Sequence, residues 1–486
     1  MWEGMRLVFN RRLELLPREG VEAIKENALK ILEEIGFAYR HKGALKILEK
    51  QGAVVDYSRE VARLPRGLVL DCVKKAPKQY IVEPPEGDAV YFGDGSIKAT
   101  MGLEIQFVDY SRMERRPGRT EDCLKCITVG NELENVGVVS PFVVPSDVPV
   151  RIADVREHRL LLTYSRKPFY AWIYSVESCR HILDMAKAVA GGEDELRRKK
   201  MVGYGAEPTS PLQLSHHAIE ILMEMAEYGL PISASGSMSL LGGTAPVTLA
   251  GALSLHTAEV LAGIVLVNLL NPDSPIGFST SIHVLDQRTA LCSFGAPENT
   301  LASLAGIQVA RELGLSCFAN VALTDSNIPD FQAGFEKAVS TALVLAAGAE
   351  GIGQQGIVGA DQGASLEQLI IDNEWFSYVN RILKGFEVNH ETLALEVIKR
   401  VGVGGSFLRE HHTLRKMRGE LWYPNLFNRD DWIGWEKKGC RDMLKRSQAA
   451  LERILKEHYP PEPVVDKQVV KQLLEIEEKA AKNLAG

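Results

Sequence analysis

The sequence has no excess of basic residues, and that removes one class of partner at once. Lys and Arg number 56 against 63 Asp and Glu, a formal net charge of −7. A protein that grips a phosphate backbone needs clustered cations. No long basic run occurs, so nucleic acid is not an expected partner. Cysteine is scarce as well: seven residues scattered over 486 positions do not make a disulfide framework. Cys123 and Cys126 form one CxxC inside a predicted helix. With no second pair nearby, helix positions in a reducing compartment explain them better than zinc or redox chemistry. The opening stretch MWEGMRLVFNRRLELLPREG has no apolar segment of the kind that leads a secretory signal. The most apolar run, 245–270, carries His256 and Glu259 between two strand patterns, which predicts a core helix rather than a membrane span. The expected location is therefore the cytoplasm, with no membrane contact. Zinc-protease, Walker and nucleophile-elbow signatures are missing, and no GxGxxG follows an early strand.

What is present reads as an ordinary globular chain, 45% apolar and 24% charged. Its length allows two or three domains, or one barrel with added segments. Residues 19–38 repeat apolar side chains at helical spacing and stop at Gly36. Helices at 43–52 and 65–76, around the strand-like AVVDY, complete an N-terminal helical cap over 1–92, closed by the turn-rich PPEGDAVYFGDGS. A strand, loop and helix unit then recurs. Strands are predicted at 99–107, 136–142, 169–175, 200–207, 231–238, 275–282, 316–323 and 350–357. Helices are predicted between and after them, at 120–133, 153–166, 177–190, 214–228, 247–270, 297–313, 331–347 and 366–384. Such alternation implies parallel pairing with right-handed crossovers. Closure on itself removes both sheet edges, so a (β/α)₈ TIM barrel over 93–388 is the expected α/β fold. An open doubly wound sheet is the alternative. Residues 389–486 read as a C-terminal helical extension with an aromatic segment, ELWYPNLFNRDDWIGWE, that packs on the barrel or on a partner subunit.

Active sites of such barrels lie where strands end. Those positions are rich in aromatics and poor in Lys and Arg: Ser140 and Phe142, Trp172 and Tyr174, Tyr204 and Glu207, Thr280 and His283, Thr324 to Asn327, and Gln354 with Gln355. A mouth of that kind suits a cation held by ring faces and a carboxylate. Glu207, Asp325 and His283 are the candidate catalytic residues. Trp172, Tyr174, Tyr204, Phe278 and Gln354 are the candidates for holding substrate. Each has a duller reading. Trp172 and Tyr204 fit a barrel's packed layers, His283 a bond to a loop carbonyl, and Asp325 a helix cap. Glu207 is harder to dismiss, since Glu is rarely buried without a partner. The pair His411 and His412 reads as surface tail. No metal ligand set is expected.

Several long runs resemble the trimethylamine methyltransferase superfamily: LGGTAPVTLAGALSLHTAEVLAGIVL (241–266), FGAPENTLASLAGIQVARELGL (294–315) and LTDSNIPDFQAGFEKAVSTALVLAAGAEGI (323–352). The segments LEQLIIDNEWFSYVNRILKGFEVNHETLALEVI (366–398) and HTLRKMRGELWYPNLFNRDDWIGWEKKG (412–439) match too, and the cap at 19–52 is similar. The resemblance implies a (β/α)₈ barrel that moves a methyl group from an N-methylated amine to the cobalt of a separate corrinoid protein. Founding members carry pyrrolysine, which this chain lacks. It therefore looks like the pyrrolysine-lacking branch, whose members act on quaternary amines such as glycine betaine, proline betaine and carnitine. The corrinoid arrives on a cognate partner protein; no covalently bound cofactor and no catalytic zinc are implied. One departure is local. Strands one and six read KATMGLEIQF and GFSTSIHVL where the family favours Gly-Ala-rich and aliphatic stretches, so the substrate need not be a known betaine.

Two other readings stay open at this point. A barrel lyase or aldolase on a small carbonyl substrate needs a Lys at a strand end for a Schiff base, and none of the predicted ends offers one. A non-catalytic betaine-binding protein would show the same cage without the transfer. The clustered Trp422, Tyr423, Phe427, Trp432 and Trp435 predict a homo-oligomer, unless they close one side of the barrel.

Overall fold

The computed structural model describes residues 12–233 and 238–484, so residues 234–237 of the strand expected at 231–238 lie outside the described residues. The eight repeated helices stand where the spacing predicts them: Thr120–Glu132, Ala153–Tyr164, Val176–Ala190, His216–Glu227, Leu249–Leu270, Pro297–Glu312, Phe331–Ala347 and Leu366–Leu383. Their starts are chemically marked. Ser175, Ser215, Asp330 and Ser365 each accept the amide of the third residue onward, satisfying a donor the helix cannot. Gly191 and Gly348 end two of them at φ of 95° and 100°, a left-handed turn that glycine makes without strain.

The strands pair in parallel. Phe278–Thr280, Cys317–Asn320, Gly351–Gln355 and Lys98–Met101 form one sheet in that order. Parallel bridges Thr100–Val138 and Val139–Phe169 extend it past the first strand. Tyr204–Gly205 pairs in parallel with Ile232–Ser233, and Ile232 N donates to Pro275 O at 3.0 Å, beside the strand that starts at Phe278. Among the described residues, no backbone hydrogen bond joins 169–175 to 200–206. The chain is thus a mixed α/β fold of parallel strands and crossover helices.

Two expected strands are divided, for steric and polar reasons. The stretch 99–107 leaves the sheet at Gly102, where a Cβ would sit 2.2 Å from Ile357 and where Ser140 Oγ donates to the carbonyl instead of the ladder. Gln106–Asp109 then turns into a hairpin with Glu114–Pro117. The stretch 275–282 leaves at Thr280, and Ile282–Asp286 pairs with Ser239–Leu241 and Leu291–Ser293. These small sheets are built from the loops beyond the carboxyl ends of the parallel strands.

The helix Leu249–Leu270 is long and apolar enough to cross a membrane by composition, and 89% of its most apolar window is buried inside the protein. It is apolar on every side because neighbours surround it. Arg18–Lys30 and Arg66–Lys75 of the N-terminal segment pack on it, and Tyr39 Oη donates to Ala262 O at 2.8 Å. One apolar cluster runs from Val21 to Ala480, so the N- and C-terminal segments share the core of the repeated units. In the tail, Glu374 accepts the amides of Asn425, Leu426 and Phe427, while Trp422 and Phe427 pack with Tyr378. Met443–His458 lies on Thr120–Glu132 and Leu366–Leu383. Lys467–Leu484 lies on the helices of the second and third units, its Glu477 taking both Arg156 and Arg159. Trp432 and Tyr423 remain 70% and 55% exposed, uncovered by this chain.

Candidate active site

The third strand segment shows how alternation builds the site. Phe169, Ala171 and Ile173 are buried towards the helices, which leaves Tyr170, Trp172 and Tyr174 on the other, half-buried face. Trp172 donates its indole N–H to the Tyr170 hydroxyl. Tyr174 leans towards the helix Ala153–Tyr164, with its amide held by Asp154 Oδ2 at 2.8 Å and its hydroxyl near Glu157. In the fourth segment the alternation separates two candidates. Val202, Tyr204 and Ala206 are buried, whereas Gly203, Gly205 and Glu207 share the open face. Tyr204 therefore packs outward near Cys179, with its hydroxyl still in electrostatic reach of Glu207 and Tyr170.

Glu207 is open to solvent by surface area, yet protein atoms crowd round it on nearly every side, so it lines a recess rather than a convex surface. Glycines 203 and 205 beneath it leave that space. No hydrogen-bond donor of the protein reaches its carboxylate among the described residues. Burial raises its pKa, and the neighbouring Asp361 raises it further. An unpaired carboxylate in such a place is costly without a cation or donor from outside.

Asp361 brings a third acid into the group. Glu104 donates its proton to Asp361, and desolvation, followed by the Asp361 charge, lifts Glu104 to about 10. Asp361 is raised too, by burial, against the attraction of Lys337. Asp361 sits on bent backbone. Ala360, Asp361 and Gln354 have φ of 54°, 59° and 123°, and Phe142 and Ala322 at neighbouring strand ends have 69° and 66°. Left-handed non-glycine residues cost of order 1–3 kcal/mol each and gather at functional sites. A fully buried ion pair holds two of the bends. Lys337 Nζ donates to Ala322 O at 2.6 Å and to Asp372 Oδ2 at 2.9 Å, and Asp372 accepts Gly356 N at 2.7 Å. Lys337 thus reaches a strand end but is fully engaged there, and is not a free amine.

The remaining candidates are placed differently. Asp325 accepts the amides of Phe294 and Gly295 at 2.7 and 3.1 Å and the Ser293 hydroxyl, so it clamps the loop before Pro297–Glu312. His283 is fully buried. Its Nδ1 accepts from Asn299 at 3.3 Å and its Nε2 lies 3.2 Å from Ser281 Oγ; burial, then His256, lowers its pKa to about 3. Phe278 is not brought to the group: it shares a face with Thr280, which bonds Ser303 of a helix, and its ring lies 6.2 Å from that of His256. Gln354 is half-buried beside Gly102. Glu104, Asp361 and Tyr170 are the members sequence reasoning missed. The alternation through FYAWIYS already puts Tyr170 with Trp172; nothing in the sequence pairs Glu104 with an aspartate in a distant loop.

Other places fit other chemistry. Cys123 and Cys126 are fully buried thiols, held protonated by burial, with Cys123 Sγ donating to Val143 O at 3.0 Å. Among the described residues His41, His216 and Glu220 form a group that could hold a metal ion, with His216 Nε2 3.4 Å from Glu220 Oε1. It lies on the N-terminal segment and His216–Glu227. His41 Nδ1 there accepts the Ala44 amide, and His216 Nδ1 is bonded to Arg40 O. A cavity of about 580 Å³ opens at the amino ends of the strands, with Arg12, Lys74, Lys78 and Arg311 around Glu350, a lining suited to anions.

Comparison with known proteins gives the family of the chain. A family model for trimethylamine methyltransferase matches residues 4–484. The trimethylamine methyltransferase of Desulfitobacterium hafniense is 30% identical over 418 residues, 86% of this chain and 84% of that protein. The Methanosarcina barkeri (strain Fusaro) trimethylamine methyltransferase is 31% identical over 454 residues, 90% of this chain and 89% of that one. A glycine betaine methyltransferase of Desulfitobacterium hafniense (strain Y51) is 28% identical over 464 residues, 94% and 95% of the two chains. The crystal structure of the Methanosarcina barkeri monomethylamine methyltransferase superposes with a TM-score of 0.50 at 10% identity, covering 99% of this chain and 89% of that one, a likeness of fold alone.

Proposed function

The chain belongs to the trimethylamine methyltransferase family, and from that premise we propose that it moves a methyl group from a quaternary amine to the Co(I) of a cognate corrinoid protein. The observation that carries the reading is the Glu207 carboxylate, without a donor among the described residues, beside Trp172 and Tyr170. A ring face and a carboxylate together hold a permanent cation. The kinship to a glycine betaine methyltransferase supports a quaternary substrate, as does the absence of pyrrolysine from the chain.

The chemistry asks little of the protein's acids and bases. In a quaternary ammonium the methyl carbon is already bonded to cationic nitrogen. Attack by Co(I), supplied on the partner, breaks the C–N bond and leaves the electron pair on nitrogen as a neutral tertiary amine. No proton is needed. The residues have to orient the cation, keep water out, and leave one methyl facing the partner. Such positioning is worth up to roughly 7–11 kcal/mol in favourable cases. Binding the cation too tightly slows the step, because its charge disappears in the transition state. A single charged carboxylate with rings meets that limit, and the proton that Glu104 and Asp361 share keeps a second charge partly masked. Glu207 and Trp172 act on the substrate in this account, with Tyr204 and Gln354 at the edge of the recess. Asp325 and His283, whose polar atoms are already engaged, act as positioning residues for the loops beyond strands six and seven.

The rest of the proposal concerns assembly. The parallel strands close as a (β/α)₈ barrel over 93–388, between an N-terminal segment 1–92 and a C-terminal extension 389–486. The protein works in the cytoplasm as a homo-oligomer. It holds no metal or covalent cofactor of its own, and it contacts neither nucleic acid nor membrane. The uncovered Trp432 and Tyr423, with Phe407 and Leu408 at 45% and 88% exposure, support an oligomer built through the tail. The direct test supplies purified protein with reduced cobalamin or a corrinoid protein and follows cobalt methylation by absorbance. Transfer from at least one quaternary amine, and none from trimethylamine, is expected. Turnover of trimethylamine with none on a quaternary panel would overturn the substrate class.

A further inference from the structure

Far from the recess, strand pairing brings two histidines together. Phe37–Tyr39 runs parallel to Gln213–Leu214, with Ala38 opposite Gln213 and Tyr39 opposite Leu214. Two residues beyond Tyr39 and Leu214 stand His41 and His216, the cap of Lys42–Lys50 and the first residue of His216–Glu227. Their ring centres are 5.0 Å apart. Glu220 follows His216 by four residues, so both project from one side of their helix. One ligand atom from each of the three lies within 4.8 Å of the others. The His216 ring is oriented by the backbone. Its Nδ1 lies 2.9 Å from Arg40 O, which can only accept, so Nδ1 carries a hydrogen and Nε2 is left facing Glu220 Oε1 at 3.4 Å. A lone pair and a carboxylate at that distance need a proton or a metal ion between them.

We infer that His41, His216 and Glu220 bind a divalent transition-metal ion of the zinc class, taken up from solution rather than carried as a cofactor, which ties the N-terminal segment to the helix His216–Glu227. Bonds of about 2.0–2.1 Å around a tetrahedral zinc set neighbouring ligand atoms roughly 3.3–3.4 Å apart. His216 Nε2 and Glu220 Oε1 already stand at that separation. The His41 atom has to close by no more than about 1.5 Å. Arg40 O steadies the His216 ring as carbonyls do behind metal-bound imidazoles. The His216 and Glu220 side chains are 60% and 35% exposed, so the ion has a way in and water can fill its remaining position. Two imidazoles and one carboxylate suit zinc, nickel or copper, whereas magnesium prefers oxygen ligands. Arg40, beside His41, is drawn away to Arg59 O, Gln213 and Glu60. One cost is visible. His41 Nδ1 accepts the Ala44 amide at 3.2 Å as a helix cap. Ligation gives up that contact whichever ring nitrogen binds, since Nδ1 takes either the ion or the proton that Nε2 sheds. The lost cap lowers affinity about fivefold.

Calorimetric titration of the full chain, free of any histidine tag, with zinc chloride and separately with magnesium chloride tests the site. Zinc should give a saturable one-to-one heat, and magnesium none. His216→Ala, at an exposed position, and Glu220→Gln should each weaken zinc about tenfold or more, and His41→Ala likewise. His217→Ala, the next residue along but outside the group, should leave it unchanged. Thermal unfolding gives a second reading. With zinc a hundredfold above its Kd, the wild-type Tm should rise by about 2–3 °C. At the same zinc concentration His216→Ala should rise by about half of that or less. No zinc heat with the wild type would overturn the site and leave His216 and Glu220 as a surface ion pair. Zinc heat that His216→Ala and Glu220→Gln leave unchanged would place the ion elsewhere and overturn it too. Magnesium binding as tightly as zinc would refute the ligand class. None of these outcomes involves methyl transfer, so the quaternary-amine reading stands or falls separately.

Discussion

Replacing Lys337 with Met tests whether the buried ion pair holds the ends of strands seven and eight. The side chain is wholly buried, and its Nζ reaches Ala322 O at 2.6 Å and Asp372 Oδ2 at 2.9 Å. Met keeps most of the volume and removes the charge. What is left is a buried carboxylate without its cation, a loss that typically costs 3–5 kcal/mol. Asp372 still accepts from Gly356 N, Gln368 Nε2 and Trp375 Nε1, each at 2.7 Å, so the lower end, about 3 kcal/mol, is the expectation. At roughly 2.1 cal/mol/K per residue, a chain of 486 residues unfolds with an entropy near 1 kcal/mol/K, so Tm should fall by about 3 °C. Scanning calorimetry or dichroism at one scan rate reads it. Lys337→Met with Asp372→Asn leaves no buried charge and should recover at least half of the loss. A single variant within about 1 °C of wild type, or a double variant no better than the single, refutes the reasoning.

Glu104→Gln carries a pH signature. Folded Glu104 keeps its proton to about 10, whereas the unfolded chain releases it near 4.3. Unfolding therefore releases a proton between those values, and the wild type loses stability as pH rises through that window. The Tm advantage of Glu104→Gln over wild type should grow from about pH 5 to about pH 9; a constant difference contradicts the shared proton. Trp172→Leu should weaken binding of a quaternary cation about thirtyfold, from roughly 2 kcal/mol for a ring over a desolvated cation. Tyr204→Leu should weaken it less, since that ring packs outward; equal, near-zero effects place the cage elsewhere. Light scattering should return a multiple of 53.6 kDa, and a monomer at all concentrations removes the tail-mediated assembly.

The helices were the most legible part of the chain, because an amphipathic period of 3.6 with Ser, Asp or Gly at its ends is a strong local signal. Phe331–Ala347 falls at its predicted bounds, and the other helices differ from the reading by a residue or two, as at Pro297–Glu312 and Ala153–Tyr164. Strands were legible as places but not as lengths. Gly102 ends the first strand because Ile357 occupies the space a side chain needs, a contact made across the chain. Trp172 and Glu207 were legible as candidates because strand ends and alternation are local. Tyr204 and Phe278 needed the phase of their own strands, which puts both on the buried side. The Glu104–Asp361 pair could not be found at all. It exists only once strand one and the loop after strand eight are neighbours, and a lone Asp in GADQGAS looks like any turn residue.

The central claim is that a carbon–nitrogen bond of a quaternary ammonium is broken only when Co(I) is present to take the methyl group. Proton NMR of a reaction holding choline, tetramethylammonium and trimethylamine follows each directly. The account predicts that a quaternary amine is consumed in step with its tertiary amine product, one for one with reduced corrinoid, while trimethylamine is not consumed and no dimethylamine forms. A tertiary product that forms equally well without Co(I), or no loss of any quaternary amine with it, would contradict the claim.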